Sequence, residues 1–212
     1  VIARDASRVV HESLPWPPRI LTLNAANLDD VFIDIEQIGE ATNTTAAARR
    51  LTSELRTRLQ EVRKQVAFDQ TFPTVGCVEW LDPLYAAGHW IPDMVSWAGG
   101  RYLLGKTGAP SERIAWEQLL AAAPDVLIAM PCGFSIERTM REMNRLTTHP
   151  DWNRLPAVQL GRVFAVNSGA YFSRPGPRLI DGTEILAALC HPSRFGQSLP
   201  ADVQRIVSEP LS

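Results

Sequence analysis

What this chain has little of narrows its chemistry first. No apolar run among its 212 residues approaches the roughly 18 needed to span a bilayer. Basic residues are not in excess: 21 Lys and Arg stand against 23 Asp and Glu. A net charge of −2 and a pI near 6.1 leave no basic footprint, so nucleic acid and anionic membrane are not expected partners. Cysteine is scarce too. Cys77, Cys132 and Cys190 are an odd count without CxxC spacing, so free thiols are expected rather than a disulfide framework. HExxH and GxSxG are absent, and Cys190-His191 has no further ligand close in sequence, so neither a metal site nor a resident cofactor is expected. The first ten residues, VIARDASRVV, carry charges where a leader's apolar stretch belongs, so no signal peptide is expected in them.

What is present is a strand and helix alternation. Residues 20–23 read as a short strand. Asn27 then caps a helix with Asp29 and Asp30 in its first turn and an apolar face of Leu28, Val31, Phe32, Ile35 and Ile38. After a break at residues 42–45, a second helix is predicted to run to Val66. It carries one thin stripe of Leu51, Leu55, Leu59, Val62 and Val66, and about 20 residues make it a rod near 30 Å long. So polar a rod suits a connector across two lobes as well as a surface helix.

From Thr74 the pattern repeats. Strands are expected at 75–80, 126–130 and 163–166, and helices at 90–98, 114–123, 135–146 and from Pro177 onward, with a tail wrapping the surface after Pro192. Alternation of this kind means a parallel α/β sheet.

Parallel strands end at one edge, which brings together the loops 81–89, 131–134 and 167–176. Their side chains, with those beside them, include Trp80, Tyr85, His89, Trp90, Cys132, Phe134, Tyr171, Phe172 and Arg174. None of the three loops has the glycine pattern that cradles phosphate. Glycines lie beside aromatics instead, in AAGHW, PCGF and NSGAYF, which favours a broad, partly apolar, planar ligand held by stacking. The plainer readings stand beside this one. Trp80, Trp90 and Phe134 suit a core equally, His89 a structural hydrogen bond, and Arg174 and Arg178 surface ion pairs. Enzyme readings are thinner: Glu79 and Asp82 form an isolated carboxylate pair, and Cys132 with His89 would need a third, orienting group.

Four ordered segments, EWLDPLYAAGHWIPDMVSWAGG, PDVLIAMPCGF, LPAVQLGRVFAV and YFSRPGPRLIDGTEILA, resemble the cobalamin-binding branch of the class III substrate-binding proteins of ABC importers. The wider family includes binders of ferric siderophores and haem. The resemblance implies two α/β lobes joined by one long rigid helix, with the ligand between them. Residues 1–44 would be the remnant of an N-terminal lobe, 45–67 the bridging helix, 68–192 the C-terminal α/β lobe and 193–212 a tail. It implies a small-molecule ligand, cobalamin or a related corrinoid, with an iron chelate or haem as the alternative, and a cofactor-free binder rather than an enzyme. The location implied is periplasmic or cell-surface, with a cytoplasmic one as the alternative.

Tyr171 falls where corrinoid binders place an aromatic against the ring. Ser173 stands where some members carry the glutamate that meets an ABC permease, so docking through that contact is not supported. Members have roughly 80 further residues before the point matching Pro18, and this chain has 17. A strand at 20–23 without its lobe would have unpaired edges, which predicts a homodimer.

Overall fold

The wholly apolar runs of the second half owe their composition to a sheet covered on both faces. The computed structural model describes residues 20–69, 71–196 and 198–206. Its sheet contains β1 (Thr74–Leu81), β2 (Leu84–Ala86), β3 (Arg101–Tyr102), β4 (Glu112–Arg113), β5 (Val126–Ala129), β6 (Val163–Val166) and β7 (Val203–Arg205), in the order β4-β2-β1-β5-β6-β7, with β3 also paired to β1. β1, β5 and β6 are parallel; β2, β4 and β7 join antiparallel.

Side chains alternate between two cores. Val126, Ile128, Phe164 and Val166 face one side, with Cys77. Leu127, Ala129, Val163 and Ala165 face the other, with Val78. The first face is covered by α1 (Leu28–Ala41), α2 (Thr45–Val66), α3 (Ile91–Trp97) and the long final helix Arg178–Cys190. The second is covered by the short helices Trp116–Ala122, Ile136–Glu142 and Asn144–Thr147, with the segment around Trp152.

The capping of α1 forms as expected: Asn27 Oδ1 accepts the Asp30 N–H at 2.9 Å. The stripe of α2 is buried at Leu55, Leu59, Val62 and Val66, while Leu51 is half-buried. On α1, Ile38 is exposed, because the helix buries only one side, chiefly against α2. The Asp93 carboxylate accepts the Leu28 N–H at 2.9 Å and so ties the start of α1 to α3.

Four expectations change. Residues 20–23 form no strand: Ile20 and Leu21 are 40 % exposed, and among the described residues no neighbouring strand supplies a ladder. The unpaired edges on which the expected homodimer rested are therefore not found in this segment. The helix expected from 114 begins at Trp116, because Glu112 and Arg113 pair with β2 and the Ile114 N–H is bound by the Leu84 carbonyl. Residues 135–146 break into two helices at Met143, though Ser135 is the N-cap as read. The tail does more than wrap, since β7 closes the sheet beside β6.

Two carboxylates fasten the lower edge of the sheet. Asp125 accepts from the Thr74 N–H (2.8 Å) and Oγ1–H (2.7 Å), and Asp69 accepts from Arg194 Nε (2.9 Å) beside His191. Burial works to raise Asp125, but its Thr74 bonds outweigh it; for Asp69 the Arg194 bond is the main cause. Both carboxyls lie below the usual range. A depressed folded pKa means stabilisation that is complete above the unfolded value, near 3.9, and is lost as pH falls through the folded value. Asp93 works the other way: burial lifts it, so its charge costs stability at neutral pH and acid relieves that cost. Asp125→Asn and Asp69→Asn are expected to lose stability at pH 7 and to show a shallower loss below about pH 4 in urea titrations. An acid slope unchanged from the parent chain would count against this origin.

Candidate functional site

At the carboxyl ends of β1, β5 and β6 the three expected loops meet and are bonded to one another. The Cys132 N–H donates to the Glu79 carbonyl (3.0 Å), and the Gly169 N–H to the Phe134 carbonyl (2.9 Å). The Gly133 N–H donates to Ser173 Oγ (2.8 Å), and Trp90 Nε1–H to the Phe172 carbonyl (2.8 Å). Local sequence makes these approaches feasible. A Cβ on Gly88 would lie 2.5 Å from the backbone of Pro110 and Ser111, so only glycine lets the turn carrying His89 pass there. His89 itself takes φ +53 and is held by its backbone, its N–H on the Ala109 carbonyl and its carbonyl on the Gly108 N–H. Its ring is left at the surface.

A pocket of about 190 Å³ opens among these loops, lined by Glu79, Gly88, His89, Trp90, Ile91, Met130, Cys132, Ser168, Phe172 and Ser173. Of the residues singled out from sequence, His89, Trp90, Cys132 and Phe172 are brought into it together. Trp80 is 40 % exposed and meets Phe134 edge to face at 5.5 Å, and Tyr85 stands opposite Trp80 across the β1–β2 ladder. Phe134 is buried beneath the Arg138 guanidinium, 3.6 Å over its ring. Tyr171 lies outside the pocket lining, and its hydroxyl donates to Asp202 in the tail at 3.1 Å. Burial, and then that bond to a carboxylate, raises the Tyr171 hydroxyl above its ordinary value. Arg174 is exposed and does not line the pocket.

Sequence reasoning passed over Glu79, Met130, Ser168 and Ser173 as lining residues. Glu79 was not legible, because it is the extra residue where the register of β1 shifts, so that Cys77 faces one core and Leu81 the other. Ser173 is a clamp: its Oγ bonds the Gly133 N–H, Ser168 Oγ (2.8 Å) and the Ser168 carbonyl (3.0 Å).

Nucleophilic chemistry finds little support. Burial pushes the Cys190 thiol up to about 12 and the Cys77 thiol well above its ordinary value. Cys132 is a free and exposed thiol, yet among the described residues no hydrogen bond joins it to His89. No group of three or more His, Cys, Asp or Glu able to hold a metal ion occurs among the described residues. Residues 100–107, GRYLLGKT, match the spacing of a phosphate-binding loop, but they lead into β4 rather than into a helix. A larger cavity, about 650 Å³, lies at the opposite edge of the sheet. Its Asp69, Asp125 and Arg162 are already bound to partners within the fold, so it offers an incoming ligand few uncommitted polar groups.

A mixed sheet covered on both faces, with a pocket and aromatic side chains at the carboxyl edge of its parallel strands, is an arrangement able to hold a small molecule. Residues 17–169 match the family described as periplasmic binding protein, and the chain belongs to that family. Its fold is that of the class III substrate-binding proteins of ABC transporters, which are not enzymes by family or fold. The chain is 25% identical over 158 residues to the vitamin B12-binding protein of Vibrio cholerae, covering 74% of this chain and 54% of that protein. Over 182 residues it is 22% identical to the ABC transporter substrate-binding lipoprotein YvrC of Bacillus subtilis, covering 83% and 55%. It thus spans about half the length of the curated relatives it matches. Among solved structures, the periplasmic vitamin B12 binding protein BtuF of Vibrio cholerae superposes with a TM-score of 0.68 at 23% identity, over 88% of this chain and 69% of that one. A periplasmic heme binding protein from Pseudomonas aeruginosa gives 0.74 at 21%, over 91% and 70%.

Proposed function

We propose that the chain is a solute-binding component of an ABC importer and takes cobalamin or a related corrinoid at the carboxyl edge of its sheet. The observation that carries this reading is the aromatic make-up of that edge: Trp80, 40 % exposed, is braced on Phe134, and half-buried Trp90, bonded to the Phe172 carbonyl, lines the pocket. Such a surface holds a wide, partly apolar ring by stacking and needs no bond to be made or broken. The relatives named for vitamin B12 add to its support. In this reading α2 bridges to a second lobe that closes the other side of the ligand, and the protein works outside the cytoplasmic membrane with a permease whose docking does not use Ser173.

A haem or iron chelate is the second reading. It is favoured by the heme-binding neighbour and by the exposed Arg174, which suits an anionic ligand. Titration with cyanocobalamin and with hemin, followed in the visible spectrum, separates the two. Trp80→Ala is expected to weaken the preferred ligand about tenfold, the loss of one aromatic contact of roughly 1.4 kcal/mol. No change in affinity on removing Trp80 would remove the stacking wall from the binding site.

A further inference from the structure

We infer that Glu79 selects the polar arm of the ligand, accepting hydrogen bonds from a neutral amide or cationic arm and rejecting a carboxylate. The inference rests on the binding reading above and names the chemistry its pocket reads. Across the β1–β2 ladder Val78 faces Ala86 and Trp80 faces Tyr85, so Glu79 is the extra residue of a bulge. Bulges re-aim a side chain next to functional edges. Glu79 is half-buried and lines the pocket with Met130 and Phe172, on the face that also holds Cys77. Burial is the main cause of the raised Cys77 and Tyr102 groups, and the nearby charge of Glu79 adds to both, in keeping with that placement.

Three features turn this carboxylate into a selector. Among the described residues no ion pair takes it, and no lysine or arginine lines its pocket. The two serine hydroxyls beside it are bonded to each other, so the charged acceptor is left facing solvent in the pocket. The volume, about 190 Å³, is below the roughly 300 Å³ at which pockets begin to engulf a whole small molecule, and suits one side arm of a larger ligand. An amide arm brings two N–H donors to an acceptor that has none. A carboxylate arm would set like charges together in a half-desolvated space.

The test uses the full chain and two probes: cyanocobalamin, and its derivative with one peripheral amide arm hydrolysed to a carboxylate. The parent chain should bind the amide form at least about tenfold more tightly, as expected for a hydrogen bond to a charged group. Glu79→Gln should weaken cyanocobalamin about tenfold and bring the two probes within about threefold, with an unchanged circular dichroism spectrum. Asp82→Asn, an exposed carboxylate three residues away and outside the pocket, should leave both affinities as they were. If cyanocobalamin binds and Glu79→Gln leaves the ratio of the probes intact, the selector is overturned while the corrinoid reading stands. If only hemin binds, the corrinoid reading falls. The selector is then judged on hemin, whose propionates should bind Glu79→Gln about tenfold more tightly. An unchanged hemin affinity, or binding of neither probe, overturns it.

Discussion

Gly182→Ala will destabilise the chain by about 1–3 kcal/mol, although alanine is the better helix former by nearly 1 kcal/mol. Gly182 lies inside the helix Arg178–Cys190, where propensity alone predicts a gain. Space decides otherwise. A Cβ there would stand 2.6 Å from the Tyr171 carbonyl oxygen, 2.9 Å from Met94 Cε and 2.9 Å from Phe172 Cε1. The methionine can swing aside, but the carbonyl belongs to the backbone of the Ser168–Tyr171 helix and can only move with it. The helix and the ligand-edge loop must therefore separate, which also disturbs the Trp90 bond to the Phe172 carbonyl. Urea unfolding should report the loss of stability, and tryptophan fluorescence of the folded state should shift with it. A variant as stable as the parent chain would show that the contact is slack.

Leu59→Ala should cost about 2–5 kcal/mol, the range for emptying a buried leucine site. Leu59 is 1 % exposed in the C-terminal half of α2, in the core that α1 and the final helix share with the sheet. Leu51, just over two turns nearer the N-terminus, is only half-buried, and Leu51→Ala should cost well under half as much. Paired denaturation curves give the comparison directly. Equal costs would mean that α2 is anchored along its whole stripe rather than chiefly by its C-terminal half.

The parts of the fold legible in the sequence are those whose burial is one-sided or complete. β5 and β6 read as strands because every residue in them is enclosed, and α2 because its leucines recur at helical spacing over 22 residues. β2, β4 and β7 did not. Each is two or three residues long, too short for alternation to show, and exists because a neighbouring strand supplies its ladder. Residues 20–23 show the converse, a short apolar run that pairs with no strand among the described residues.

The candidate site was legible as a place, since parallel strands must deliver their loops to one edge. Its side-chain directions were not. A one-residue bulge places Glu79, and Tyr171 is turned by Asp202, which stands 31 positions later in a tail that sequence assigned only to the surface.

The cross-links among the three loops have a mechanical consequence. With Trp90 fastened to Phe172, Gly133 to Ser173 and Gly169 to Phe134, the segments of that edge cannot shift independently. They behave as one plate bolted to the sheet. A molecule settling on the plate freezes little that was previously free, so differences among candidate molecules follow their contacts rather than the cost of ordering a loop. Any closing motion around such a molecule has to be made by whatever stands opposite, turning toward a surface that stays still.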